Sequence, residues 1–302
     1  MSVVDATMDV AAIRRFYAEE VAILGGVESP LIVEAFATVP RERFLGPGPW
    51  QLCLSDAGQS FRYRQTFDAH PRHVYHNLPI AIDEARVLNN GQPSLLATWM
   101  ELLEINAGAR VVHIGSGTGY FSAVLAAIVG PSGQVTAIEV EPSLAARARA
   151  NLADYANVTV VEGDASTLSG QADAILVNAG ATHALPAWLD AVAEGGRMLL
   201  PLTFGPSPTA PGKGAVVKIT RHGDRFDATF GPMVAIYPCS GARDPEMNMA
   251  LQKAFVQWMQ GGMKQPGVHV VRRDPHVADD TCWAHRDGFC LSKVSAEASG
   301  QR

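Results

Sequence analysis

From residue 93 onward the chain alternates short apolar runs with stretches of helical periodicity, and this alternation restricts the fold more than any other feature. The spacing predicts a helix from Pro93 to Ile105, apolar at Leu95, Leu96, Trp99, Leu102 and Leu103. Strands are expected at 110–114, 134–139, 157–161, 173–178 and 196–202, and helices at 119–129, 142–153 and 184–193. A parallel strand pair needs a crossover connection, and a helix supplies one. Strands that are apolar throughout are covered on both faces. The reading is an α/β fold with a mostly parallel twisted sheet and helices on both faces.

The flanks are read differently. Residues 9–24 carry Val10, Ile13, Phe16, Tyr17 and Val21 on one helical face, and a second helix is expected from Pro30 to Thr38. Residues 46–93 are rich in Pro, Gly, His and Asn, so a long irregular segment with short helical pieces is expected there, as a binding or lid element. Beyond Leu202, a Pro/Gly-rich loop leads to strands at 215–220 and about 226–236. Asp244 is placed to cap a helix that opens on Pro245 and runs to about Gln260. Extended segments at 267–272 and 281–292 follow, with Asp287–Gly288 as a hairpin turn, and SAEASGQR reads as a frayed tail. The expected division is 1–93 as a helical and irregular segment, 94–236 as the core, and 237–302 as an extension packed on the core.

Composition narrows the function. The formal net charge of −6 and the absence of a Lys/Arg cluster argue against nucleic acid as a main partner. No apolar run is long enough to span a bilayer, and the first residues lack the pattern of a signal peptide, so a cytoplasmic protein with no membrane partner is expected. Cys53, Cys239, Cys282 and Cys290 form no CxxC pair and no zinc-type spacing with His; no metal is expected.

The chemistry-bearing motif is Val111-Val112-His113-Ile114-Gly115-Ser116-Gly117-Thr118-Gly119-Tyr120, between a strand and a helix. Glycines there let the backbone turn tightly and approach a ligand. The helix start beyond offers free N–H groups. The third glycine comes one residue too early for a dinucleotide fingerprint, and Tyr120 holds the place of that glycine. No Gly-Lys-Ser/Thr follows at Walker spacing; Gly212-Lys213 is followed by Gly214. The arrangement G-x-G-x-G is that of S-adenosylmethionine (SAM) methyltransferases. Glu139 ends the next strand, about 20 residues beyond Gly119, where an acid accepts from both ribose hydroxyls of a nucleoside. SAM and a dinucleotide both carry such a ribose. After the third strand, Asp164 is placed to accept from an adenine amino group and Ala165 to offer a backbone N–H.

Taken together these segments resemble the protein-L-isoaspartate O-methyltransferase family. Val39-Pro40-Arg41-Glu42-Arg43-Phe44, Leu78-Pro79-Ile80, Gln92-Pro93, the glycine loop, Ile138-Glu139, Gly163-Asp164 and Gly195-Gly196-Arg197-Met198-Leu199-Leu200-Pro201 follow in the family's order, over roughly residues 30 to 220. The resemblance implies a Rossmann-like SAM methyltransferase fold, SAM as cofactor with S-adenosylhomocysteine as product, and a carboxylate of a peptide or protein as methyl acceptor. The cofactor set it implies is His113, Gly115, Ser116, Gly117, Thr118, Gly119, Tyr120, Glu139, Val140, Asp164, Ala165 and Asn178. Asn90, Gly91, Gln92 and Ala179 fall on the substrate side. No catalytic residue is assigned, and oligomeric state is left open.

Three departures are evident. His113 stands where the family has Asp or Glu. Ala81 to Gly91 replaces a shorter Gly-Gln-Thr-Ile-Ser-like run, with Gly91 in place of the Ser. Residues 231–302 have no counterpart in the resemblance, and Tyr237 to Asp244 reads only as a turn leading into a helix cap. These departures keep two alternatives open, a small-molecule methyltransferase of the same fold and a non-catalytic SAM-binding or interaction protein. His70, His73, His76, His113 and His183 are the candidate bases, but a carboxylate acceptor, ionised at neutral pH, needs none.

Overall fold

In the computed structural model the described residues are 9–55, 61–207, 210–262 and 266–293. The chain divides into two compact units, one comprising Met1–Gly108, Ser116–Ala137 and Glu141–Val160, the other Ala109–Gly115, Ile138–Val140 and Val161–Arg302. The tail 295–302 lies outside the described residues.

The first unit begins with helices α1 (Val10–Gly25) and α2 (Pro30–Thr38). Asp9 caps α1 by accepting from the Ala11 N–H, and Gly26 ends it in the left-handed region at φ 60°. Pro30 opens α2, where its missing N–H costs nothing. The segment read as irregular holds two small hairpins that its sequence does not announce: β1 (Gln51–Ser55) with β2 (Phe61–Gln65), and β3 (Ala81–Asp83) with β4 (Leu88–Asn89). A 3₁₀ turn at Pro71–Val74 is the short helical piece expected there. Helix α3 (Pro93–Leu103) follows. Helix α4 (Tyr120–Val129) is buried at nine of its positions, which marks a core helix rather than a surface one.

At the centre of this unit lies Arg41, with no exposed surface. Its guanidinium donates to the carbonyls of Val74 (2.8 Å), His76 (2.9 Å) and Leu78 (2.8 Å) and to Asn90 Oδ1 (3.2 Å). It also sits 5.8 Å from the Tyr17 ring centre and 5.7 Å from that of Tyr120. One buried cation thus ties the irregular segment to the aromatic core of Tyr17, Phe36, Phe44 and Tyr120.

The main sheet has ten strands. Those labelled next are β5 (Arg110–Ile114), β6 (Gln134–Glu139), β7 (Val158–Glu162), β8 (Ala172–Val177) and β9 (Val192–Phe204), with helices α5 (Pro142–Asn151) and α6 (Pro186–Ala191) between them. Then come β10 (Gly212–His222), β11 (Arg225–Ile236), helix α7 (Pro245–Gln260), β12 (Val270–Arg272), β13 (Cys282–Arg286) and β14 (Phe289–Ser292). The pairing order is β13-β14-β12-β11-β10-β9-β8-β5-β6-β7. β5 pairs with β8 and β8 with β9 in parallel; from β9 through β13 every pairing is antiparallel.

The fold class is therefore the Rossmann-like α/β one expected, with a sheet that is mixed rather than mostly parallel. Two of the added pairs, β10–β11 and β13–β14, are joined by tight turns, the first at Gly223 (φ 60°), and a tight turn permits only antiparallel pairing. Helix α6 is shorter than expected and β9 longer, because the chain turns into the sheet at Val192. Helix α7 matches expectation: Asp244 Oδ1 accepts from the Met247 N–H at 2.7 Å, and Pro245 stands at its first position. Its Phe255 packs with Phe230, Trp258 and Trp283. Among the described residues no helix is long and apolar enough to cross a membrane.

Candidate functional site

In the second unit, β5 delivers the chain to Gly115, which holds φ 79°. The Gly115 N–H donates to the Ile138 carbonyl (2.9 Å), and the Asn178 N–H to the Ile114 carbonyl (2.8 Å). A Cβ at Gly115 would lie 3.2 Å from the Asn178 carbonyl oxygen. Only glycine fits both the backbone angle and the space. Glu139 ends β6 and is buried at 6% exposure; its carbonyl accepts from the Gly163 N–H at 2.9 Å. Val140, next along, is exposed.

Asp164 is half-buried. The Ser166 hydroxyl, with the Ser166 N–H at 3.0 Å from Oδ1, holds its carboxyl below the usual carboxylate range. Ala165 adopts φ 60°, a left-handed conformation that costs a residue with a Cβ about 1–2 kcal/mol. Its carbonyl is fixed by the Trp188 indole N–H at 3.0 Å. Such outliers gather at functional sites. Asn178 and Ala179 are half-buried at the end of β8.

Sequence reasoning missed the segment Tyr237–Asp244. It runs beside the chain just past β8: the Gly180 N–H donates to the Tyr237 carbonyl (2.7 Å), and the Cys239 N–H to the Gly180 carbonyl (2.9 Å). Arg243 pins it, donating to the carbonyls of Gly180 (3.2 Å) and Thr203 (2.8 Å) and to Asn248 Oδ1 (2.8 Å). The Cys239 thiol is pushed up to about 12, chiefly by burial; Arg243 opposes the shift, and the charges of Asp164 and Glu139 add to it. Within the run, Gly241 lies against Asp164. No local sequence signal announces this, since the contacts are long-range.

In the first unit the loop continues through Ser116 to Gly119, with Gly117 at φ 56° and Gly119 at φ 95°. Gly119 begins α4, and a Cβ there would meet Leu152 Cδ1 at 2.7 Å. Asn151 Nδ2 donates to the Thr118 carbonyl (2.9 Å). Ser116 and Thr118 are buried, and Ser116 Oγ has no hydrogen-bond partner among the described residues. The Tyr120 side chain is a core element, its hydroxyl 3.3 Å from that of Tyr17.

The altered segment 81–91 lies over this loop. Ile82 Cδ1 would be 3.7 Å from a Cβ at Gly117, and Arg86 pairs with Glu141 at 2.8 Å, holding that carboxyl below its usual range. A Cβ at Gly91 (φ 86°) would lie 3.2 Å from Leu96 Cδ2 and 3.2 Å from Phe121 Cε2, and Gln92 is the exposed residue preceding α3. Asn90 is buried. Its Oδ1 accepts from Arg41 and from the Ile80 N–H (2.9 Å), while its Nδ2 has no partner among the described residues.

Burial lowers the candidate histidines His113 and His183. His113 is fully buried, and burial pushes it down to about 3. His183 is pushed down to about 4, chiefly by burial and next by the Arg286 charge. His73 lies 3.0 Å from the Asp68 carboxylate, and His70 Nδ1 accepts from the Arg72 N–H at 3.2 Å.

The family model described as protein-L-isoaspartate(D-aspartate) O-methyltransferase matches residues 19–208. A protein-L-isoaspartate O-methyltransferase 1 of Rhodopseudomonas palustris (strain HaA2) is 34% identical over 203 residues, 66% of this chain and 72% of the relative. A protein-L-isoaspartate O-methyltransferase of Syntrophotalea carbinolica is 29% identical over 242 residues, 76% of this chain and 97% of the relative. Among solved structures, a protein-L-isoaspartate O-methyltransferase superposes with TM-score 0.57 at 21% identity, covering 80% of this chain and 69% of the other. A putative enzyme of that name from Plasmodium falciparum, in complex with S-adenosyl-L-homocysteine, gives TM-score 0.57 at 16% identity, over 75% of this chain and 98% of the other.

Proposed function

The chain belongs to the protein-L-isoaspartate O-methyltransferase family and is a SAM-dependent methyltransferase, and from that premise we propose that it methylates an isoaspartyl carboxylate in a peptide or protein. SAM supplies a methyl group already activated by its sulfonium, so the chain's task is binding and orientation.

The residues suit that cofactor. Gly115 (φ 79°) and Gly119 (φ 95°) hold the positive-φ turn of the loop, where a Cβ would crowd Asn178 and Leu152, and the buried Ser116 Oγ keeps a hydrogen-bonding group uncommitted. In this reading the backbone of Gly115 to Gly119, and of Tyr120 at the helix start, lines the methionine end. Glu139 accepts from the ribose hydroxyls, with the exposed Val140 beside the adenine. Asp164 accepts from the adenine amino group, and Ala165 presents its N–H. Asn178 and Ala179 stand on the acceptor side of the cofactor in the second unit. In the first unit, Asn90, Gly91 and Gln92 are the residues assigned to the substrate side. His113, buried and neutral, replaces an acid of the family and acts by packing and hydrogen bonding rather than by charge.

The observation that carries the carboxylate reading is the burial of His113 and His183, which pushes both below the ordinary histidine range. A histidine held near 4, as His183 is, takes protons poorly from a hydroxyl or amine, whereas a carboxylate acceptor has no proton to lose. A second reading, a small-molecule acceptor, is favoured by Ile82 lying over Gly117 and by the Tyr237–Asp244 run. A reducing cytoplasmic setting fits the four free cysteines and belongs to the same proposal.

Calorimetric titration with S-adenosylhomocysteine tests the cofactor assignment. The native chain binds, and Gly115→Val, checked for folding by its melting curve, does not. A folded native chain without binding overturns the assignment.

A further inference from the structure

Residues 276–290 lie beyond the part of the chain that the family model matches. The linear spacing of their His and Cys residues suggests no metal, yet the fold gathers four of them. His276, Cys282, His285 and Cys290 bring one ligand atom each to within 4.8 Å of one another. We propose that these four side chains bind a zinc ion that clamps the β12–β13–β14 edge of the sheet.

The register of the hairpin explains the gathering. β13 and β14 pair so that His285 lies directly across from Cys290, with Cys282 at the start of β13. The loop entering β13 returns His276, whose Nε2 is 3.6 Å from Cys282 Sγ. The rings of His276 and His285 are edge-on with centres 4.5 Å apart. Tetrahedral zinc, with bonds of about 2.3 Å to sulfur and 2.0–2.1 Å to nitrogen, places its ligand atoms ~3.4–3.8 Å apart. The cluster is therefore near that geometry before any adjustment.

The surroundings are those of a metal site. His276 Nδ1 lies 2.8 Å from the Asp274 carbonyl oxygen, which fixes the tautomer and leaves Nε2 as the ligand. The Asp279 N–H donates to Cys282 Sγ at 3.5 Å, and Cys282 Sγ lies 3.6 Å from Asp279 Oδ1. His285 Nδ1 is buried with no hydrogen-bond partner among the described residues. All four cysteines of the chain are free thiols.

Two thiolates and two neutral imidazoles balance the charge of Zn²⁺. The two thiol protons pass to solvent as the metal binds. Four protein ligands leave no open position, so the role is structural.

The test uses the full chain, purified under reducing conditions, stripped with chelator and titrated with Co²⁺ and then Zn²⁺. The proposal expects about one equivalent of Co²⁺ with the thiolate charge-transfer band and intense visible bands of a tetrahedral site. Zn²⁺ then displaces it, and Tm is higher with Zn²⁺ than without. Cys282→Ser with Cys290→Ser abolishes the spectrum. His276→Ala, at the ligand in the loop outside the β13–β14 hairpin, keeps the fold and weakens Co²⁺ binding by about 10-fold or more. A native chain that takes up no stoichiometric metal, an unaltered spectrum in the variants, or a Cys282–Cys290 disulfide in the protein prepared under reducing conditions overturns the proposal.

Discussion

Gly241 lies against Asp164: a Cβ built on the glycine would stand 3.0 Å from Asp164 Oδ2 and 3.3 Å from Asp164 Cβ. Gly241 also holds φ 84°, so a larger residue would be strained as well as crowded. The C-terminal part of the chain thereby buttresses the carboxylate assigned to the adenine. Gly241→Val is expected to weaken S-adenosylhomocysteine binding roughly tenfold or more, the worth of one charge-assisted hydrogen bond. Gly223→Ala, at a positive φ with open space around it, should destabilise slightly and leave binding unchanged. Calorimetry on both variants checks the pair.

Glu139 is expected to carry more of the cofactor affinity than any other side chain of the loop region. Glu139→Ala removes an acceptor for two hydroxyls, at a cost of roughly 1.5–3 kcal/mol, or about a 10- to 100-fold larger Kd. Titration with S-adenosylhomocysteine reads it, and an unchanged Kd would remove Glu139 from the site.

Arg41 is expected to matter for stability. Arg41→Met leaves the carbonyls of Val74, His76 and Leu78 and Asn90 Oδ1 short of their shared donor, at a cost of ~2–4 kcal/mol. Urea unfolding measures it.

What the sequence revealed and what it hid divide by the range of the contacts involved. Helices α2 and α7 were legible because Pro30, Asp244 and Pro245 act within one turn of themselves. The glycine loop and Glu139 were legible because strand, turn and helix follow one another directly. The β1–β2 hairpin was not: Cys53 pairs with Tyr63 and Leu52 with Arg64 without an alternating pattern to show it. The Tyr237–Asp244 run takes its place from Gly180 and Thr203, far away in the chain, and local patterns carry no such information. The four residues around His285 are likewise assembled by hairpin register rather than by spacing.

Acid should destabilise the fold through two histidines. His113 and His183 have folded pKa values of about 3 and 4, below the ordinary value of 6.5, so the unfolded chain binds more protons between those limits. Their neutral burial contributes no loss above about pH 6.5. Stability then declines as pH falls from there toward 3–4. Melting temperature against pH should show this slope, and His113→Gln should flatten it between pH 4 and 6.5.

The most direct measurement is methyl transfer from SAM to a peptide containing one isoaspartyl residue, set beside the same peptide with an ordinary aspartyl residue. The account predicts that S-adenosylhomocysteine and a methyl ester form with the isoaspartyl peptide and not with its isomer. Binding of S-adenosylhomocysteine without transfer to the isoaspartyl peptide would contradict it.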